Sequence, residues 1–430
     1  MKVYIKTFGC TLNKFDSLSM KRILLNSGYH LVENPDESDV LIINTCGVKK
    51  QTEDRIISYL KQLNMKYERR KKIVVAGCLP IINLDRLIKE TYSDAIIGVS
   101  PGYKILDVLS KLNINKPIID VWSGGQSPLI PPTYSAEVIE PIGISFGCLD
   151  NCAFCATKFA RSKLNSIPID KIVDHIEKCL KLGVKEFYLT SPDSGAYGFD
   201  LKPRKNIIDL LREIEKIEGV FKVRLGMVNP RWVFKWLDDF IEIFKNSKHL
   251  YHFLHIPVQS GSDKVLRIMR RGHGVEEYVE SVKRIRAEVG NRFTIITDVL
   301  IGHPGEEDQD FEYTIEIIKE TMPDYINISK FFPRPNTEAK MMKKVPTNII
   351  KERSRRMTEL SFKIMKMRNE LWRGWVGEVI IDEYGKGGTM VGRNYAFKPI
   401  VFNDRLKLGD IIKAKIVDVN PVWLQGKPLS

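Results

Sequence analysis

Nowhere in the 430 residues does an apolar run approach the roughly 20 residues that cross a bilayer, so no membrane partner is expected. The N-terminus, MKVYIKTFGC, carries charge but lacks the apolar segment that a secretory signal needs. Cysteine is scarce, seven in all, and an odd total argues against a disulfide framework. There is no internal repeat and no low-complexity tract. These absences leave a cytoplasmic globular chain whose few thiols stay reduced and free for metal or catalytic work. The chain is too long for one ordinary domain and fits two or three, each with its own core.

Charge is unevenly spread. The formal net charge is +14, and residues 340–373 hold eleven Lys/Arg against three acids. Lys66, Arg69, Arg70, Lys71 and Lys72 form a second basic cluster. Such patches suit a polyanion, because each neutralised phosphate releases counterions. A solvated lysine-rich surface, common in heat-adapted proteins, is the other reading.

Cys148, Cys152 and Cys155 fall in the run GCLDNCAFC, with C-x3-C-x2-C spacing. Three thiolates in so short a loop can wrap one small metal centre, and the spacing suits a cubane. A [4Fe–4S] cluster normally takes four Cys, so three leave one iron open. Structural zinc is the alternative; it needs a fourth ligand, and Asp150 alone lies within the loop.

Cys10, Cys46 and Cys78 look scattered until placed on secondary structure. KVYIKTFGC, DVLIINTC and KIVVAGC each read as a β-branched apolar run ending in cysteine. Helical patterns follow at 15–27, 50–66 and 82–91, making successive βα units of a parallel sheet. All three thiols then sit at the carboxyl edge, where such sheets bind ligands. They could form a second three-Cys cluster with an open iron, or be three unrelated buried thiols. Cys179 shares a helical face with Ile172, Ile176 and Leu180 and reads as a core thiol.

Further strands near AIIGV and KPIIDVW complete an N-terminal Rossmann-like unit, 1–125, before the Gly/Pro-rich linker 126–138 containing SGGQSPLIPP. Strands PIGISFG, EFYLTS, VRLGMV, FLHIPV, IITDVLIG and YINISKF alternate with helices and predict a partial (βα)6 barrel over 139–370. A basic helix spans 346–371. Short strands with Gly turns follow over 371–430, as in a small five-stranded barrel that grips RNA, or one that serves only as a cap. The fold class is thus α/β and multidomain, with a small all-β C-terminal barrel.

The motifs TFGC, NTCG, AGCLP and GCLDNCAFC make the whole chain resemble the methylthiotransferases. These combine a three-Cys domain, a radical S-adenosylmethionine barrel and a C-terminal TRAM domain. CATKFARSKLNS, LTSPDSGAYG and FFPRPNT place the resemblance nearest the archaeal and eukaryotic branch. That branch acts on N6-threonylcarbamoyladenosine in the tRNA anticodon loop. Other branches act on isopentenyladenosine in tRNA or on an aspartate of a ribosomal protein. A reading from another class is a zinc-containing RNA-binding protein without catalysis. Asn336 in FFPRPNT and His303 in IGHPGEE depart from the family pattern; His303 reads as filling an aromatic's space.

The resemblance implies two [4Fe–4S] clusters and S-adenosylmethionine as cofactors. Cys148, Cys152 and Cys155 would hold the cluster that cleaves the cofactor, and Cys10, Cys46 and Cys78 an auxiliary cluster carrying sulfur. Phe154, Ser191, Asp193, Arg224, Gln259 and Gly302 are then candidates for the cofactor's surroundings, with packing, capping or turn geometry as the plainer reading of each. The threonylcarbamoyl carboxylate calls for a cation, for which Lys158, Arg161 and Arg334 are candidates. Neither the electron donor nor the sulfur source is legible.

Overall fold

The computed structural model describes residues 1–112, 116–121 and 137–429; most of the expected linker lies outside them. Strands β1 (Lys2–Thr7), β2 (His30–Leu31), β3 (Val40–Thr45), β4 (Lys72–Gly77), β5 (Ala95–Ile97) and β6 (Ile118–Asp120) form one parallel sheet in the order β2-β1-β3-β4-β5-β6. β2 is two residues long and left no readable pattern. The β3 run VLIINT is buried throughout because helices cover both faces of the sheet. Met20, Ile23 and Leu24 of α1 (Thr11–Asn26) pack one face, and Ile56, Leu60 and Leu63 of α2 (Lys50–Tyr67) the other.

The chain then forms β7 (Ile139–Gly143) and a small antiparallel pair, β8 (Ser145–Phe146) and β9 (Asn165–Ser166). Strand β10 (Glu186–Thr190) pairs with β7 on one side and with β11 (Lys222–Leu225) on the other, in the order β11-β10-β7. Strands β12 (Phe253–His255), β13 (Thr294–Ile301) and β14 (Tyr325–Lys330) form a second parallel trio. A parallel bridge between Val223 and Leu250 joins the trios into an open six-stranded barrel, as the alternating pattern predicted.

The helix Thr347–Glu370 runs along β14 and leads into β15 (Val376–Tyr384), β16 (Met390–Arg393), β17 (Pro399–Phe402), β18 (Ile411–Val419) and β19 (Leu424–Pro428). These close in the order β15-β16-β17-β19-β18. The closing strand β19, LQGKP, carries no apolar alternation that would mark it in advance.

The basic helix is less free than its composition implied. Arg353 pairs with Glu306 and Asp308, Arg356 with Glu312, and Arg368 with Asp324, all on the central barrel. Lys351, Lys363 and Lys366 are exposed and in no ion pair among the described residues. No helix among the described residues is long and apolar enough to cross a membrane.

The layers interlock through buried charge. Arg22 of α1 makes a bidentate pair with Glu140 of β7, at 2.8 and 2.7 Å, and His175 approaches the same carboxylate at 2.8 Å. Asp324 receives Arg286, Arg368 and Lys398 and so ties the barrel to the helix and to the C-terminal unit.

Candidate metal and cofactor site

Cys46 follows β3 directly, whereas β1 and β4 reach Cys10 and Cys78 through a glycine. Gly9 has φ +119° and Gly77 φ +100°, a region that side chains disfavour. A Cβ on Gly9 would lie 2.8 Å from the Cβ of Cys46, so the loop bearing Cys10 rests directly on Cys46. Asn13 fastens the arrangement, its amide donating to Phe8 O at 2.9 Å and Thr45 O at 3.0 Å. The Cys78 thiol faces its oxygen at 3.9 Å. Cys10 is exposed, whereas Cys46 and Cys78 are buried. Burial pushes the Cys78 thiol up to about 12, opposed by the Arg161 cation and reinforced by Cys46 and Cys10. Burial likewise raises Cys46. Thiols crowded in this way become stable thiolates only beside concentrated positive charge, which a metal centre supplies.

The second triad lines a cavity of about 120 Å³ at the carboxyl edge of β7, together with Asp150, Lys158, Asp193, Asn229 and Arg271. The Asp150 backbone N–H donates to Cys148 Sγ at 3.3 Å, and Arg271 Nη1 donates to Cys152 Sγ at 3.5 Å. Asp150 is held by Asn229 Nδ2 at 2.6 Å and by an ion pair with Arg231. Asp193 accepts from the backbone N–H groups of Gly195 and Asn229, each at 3.1 Å, and from Trp232 Nε1 at 3.0 Å. Burial and then the nearby Asp150 push its carboxyl up to about 6. Burial also raises the Cys148 thiol, with Asp193 the next cause.

Ligand atoms of Cys148, Asp150 and Asp193 lie within 4.8 Å of one another, which superficially suits a single ion. Both carboxylates are already engaged, however, so the donors left to a metal are the three thiols. That set fits a cluster taking three thiolates and keeping one iron open. Cys78 belongs to a small apolar cluster with Ala156 and Ala160, just past Cys155, so the two triads share one neighbourhood.

The other predicted residues divide. Lys158 and Asp193 line the cavity. Ser191 bonds Ser194 at 3.1 Å beside it. Phe154 packs against the cluster of Val265, Met269 and Phe331 and meets the His303 ring edge-on at 6.0 Å. His303 is buried between Phe154 and Phe331, filling aromatic space as expected. Gln259 has φ +71°; its N–H bonds Asp298 O and its carbonyl accepts from Leu300, so its backbone links β12 to β13. Gly302, at φ +77°, permits a turn whose N–H bonds Glu306, and a Cβ there would strike Ile350 at 2.4 Å.

Three candidates are corrected. Arg224 does not line the cavity; its guanidinium lies over Phe253 at 4.9 Å and Phe397 at 5.2 Å, where the C-terminal unit docks, because it sits lower on its strand than Met227 and Asn229. Arg161 is buried in an ion pair with Asp16. Arg334 is buried against Glu53 and the carbonyl of Gly47. Both guanidiniums are committed across the junction and are not free to meet a substrate carboxylate.

Sequence reasoning missed Asn229, Arg231 and Arg271. The Asn-Pro pair shortly after the third barrel strand was a usable signal, since Asn229 caps the helix Pro230–Lys235 at the reactive edge. Arg271 carried none.

Residues 142–318 match the Radical SAM superfamily, and residues 2–98 match a family described as "Uncharacterized protein family UPF0004". The chain is 36% identical to a probable threonylcarbamoyladenosine tRNA methylthiotransferase of Pyrococcus horikoshii, over 100% of both chains. It is 32% identical to the threonylcarbamoyladenosine tRNA methylthiotransferase of Homo sapiens, over 100% of this chain and 74% of that one. A similar solved structure is the radical S-adenosylmethionine methyltransferase TsrM of Kitasatospora setae, with cobalamin and a [4Fe-4S] cluster bound. The TM-score is 0.60 at 12% identity, covering 79% of this chain and 77% of that one, which is a likeness of fold alone.

Proposed function

The chain belongs to the methylthiotransferase family of radical S-adenosylmethionine enzymes, and from that premise we propose that it adds a methylthio group to C2 of N6-threonylcarbamoyladenosine in the anticodon loop of tRNA. The observation that carries this reading is the pair of thiol triads at neighbouring sheet edges, joined by the cluster of Cys78 with Ala156. With clusters held in both triads, reductive cleavage of bound S-adenosylmethionine would supply the radical that an unactivated aromatic C–H demands and no side-chain acid or base can deliver.

The chain's own residues hold and shape that site. Cys148, Cys152 and Cys155 bind one cluster, and Cys10, Cys46 and Cys78 the other. Arg271 donates to Cys152 and offsets thiolate charge. Asp193, fixed by three hydrogen bonds, orders the second barrel strand's loop around Asn229 and Trp232. Lys158 on the cavity wall is the cation left to meet the threonylcarbamoyl carboxylate. Residues 1–125, 139–370 and 371–430 serve as auxiliary-cluster, barrel and RNA-gripping units. A tRNA substrate and the absence of a spanning helix among the described residues accord with a cytoplasmic enzyme.

Mass spectrometry of tRNA nucleosides from cells lacking the gene tests the substrate. The 2-methylthio derivative disappears while N6-threonylcarbamoyladenosine remains. Persistence of that derivative overturns the assignment; loss of the isopentenyl counterpart, or of a ribosomal-protein modification, assigns another branch. Protein purified without oxygen should carry about eight irons, about four per cluster.

A further inference from the structure

Arg161 comes from the central barrel, six residues beyond Cys155, yet its guanidinium lies inside the N-terminal unit. It is 2% exposed and pairs with Asp16 of α1. Its Nη2 also donates to Asn13 Oδ1 at 3.2 Å, the oxygen that faces the Cys78 thiol. Its Nη1 donates to Ser100 Oγ at 3.2 Å, and Ser100 in turn donates to Asp16 at 2.8 Å. The side chain therefore makes every polar contact within the partner unit, while its backbone continues the loop of the second triad. Burying a guanidinium has a large cost of desolvation, which Asp16, Asn13 and Ser100 offset by holding it in this one geometry beside the first triad.

We propose that Arg161 is a positioning residue that docks the first triad against the second and sets the charge felt by the centre on Cys10, Cys46 and Cys78. The proposal rests on the reading of that triad as a cluster site. The cation and the Cys78 thiol share one oxygen, that of Asn13, whereas Asp16 bonds Arg161 and Ser100 instead. A net positive field favours the more negative, reduced state of a cluster, so Arg161 raises its reduction potential. Asp16 tempers that effect.

The two residues make opposite predictions, which a merely structural role does not. The test uses the full chain with C148A/C152A/C155A, so that only the first triad holds iron, titrated by electron paramagnetic resonance. R161Q shifts the midpoint to a more negative potential, D16N shifts it to a more positive one, and R161K restores most of the original value. Shifts of the same sign in R161Q and D16N, or no shift in either, overturn the inference. If R161Q loses its iron, D16N decides alone: a positive shift supports the role, and a negative or absent one ends it. A triple-alanine chain that takes up no iron overturns the cluster reading itself, and this inference with it.

Discussion

Arg271 donates a hydrogen bond to the sulfur of Cys152 at 3.5 Å, although 118 residues lie between them. The same guanidinium holds the carbonyl of Pro257 at 3.2 Å, which fixes its direction. A donor aimed at a ligand sulfur steadies the ligand and moderates its charge. R271A is expected to slow S-adenosylmethionine cleavage on the order of 10–100-fold, the usual cost of losing such a partner. The rate of 5′-deoxyadenosine formation measures it, and an unchanged rate would sink the assignment.

The triads should separate by function. A C10A/C46A/C78A chain is expected to keep about four irons and to cleave S-adenosylmethionine without forming methylthio product. Chemical iron assay and product analysis together check this. Loss of cleavage in that variant would mean that the two sites are not independent.

The exposed lysines of the helix Thr347–Glu370 remain free for phosphate, whereas Arg353, Arg356 and Arg368 are spent on the barrel. K363A/K366A should weaken tRNA binding and reduce the slope of log K against log salt by roughly 1–2 units. Binding titrations at several salt concentrations read both values. R368A, by contrast, should lower thermal stability, because it strips a buried partner from Asp324.

Glu186 and Asp382 meet where the C-terminal unit docks, beside Arg393, Tyr188, Glu383 and Tyr251. Burial pushes the Asp382 carboxyl up to about 6, and burial with Asp382's charge lifts Glu186 well above its usual range. Between about pH 4, where unfolded carboxyls titrate, and the raised folded values, the folded state binds more protons than the unfolded one. Stability contributed here therefore falls as pH rises through that window. D382N should flatten the decline and stabilise the chain at pH 8 by on the order of 1–3 kcal/mol. Melting curves across pH compare the two chains, and parallel pH profiles would refute the role of this pair.

The first triad was legible because each of its cysteines closes, or closely follows, a β-branched apolar run, and strand ends in parallel sheets gather at one edge; the second was legible from its C-x3-C-x2-C spacing. The six barrel strands were legible because short apolar runs alternating with helical ones leave few other arrangements. β19 escaped notice because LQGKP has neither alternation nor length, and only closure between β17 and β18 gives it a partner. The uses of the arginines were likewise decided in three dimensions. Arg161, Arg224, Arg334 and Arg368 read alike in the sequence, as basic residues near a reactive edge or on a basic helix. Tertiary packing gave each a buried partner, Asp16, Phe253, Glu53 or Asp324, from a distant stretch of chain. Local pattern determines where a backbone turns and which atoms reach an edge; which charge meets which depends on contacts that no local pattern encodes.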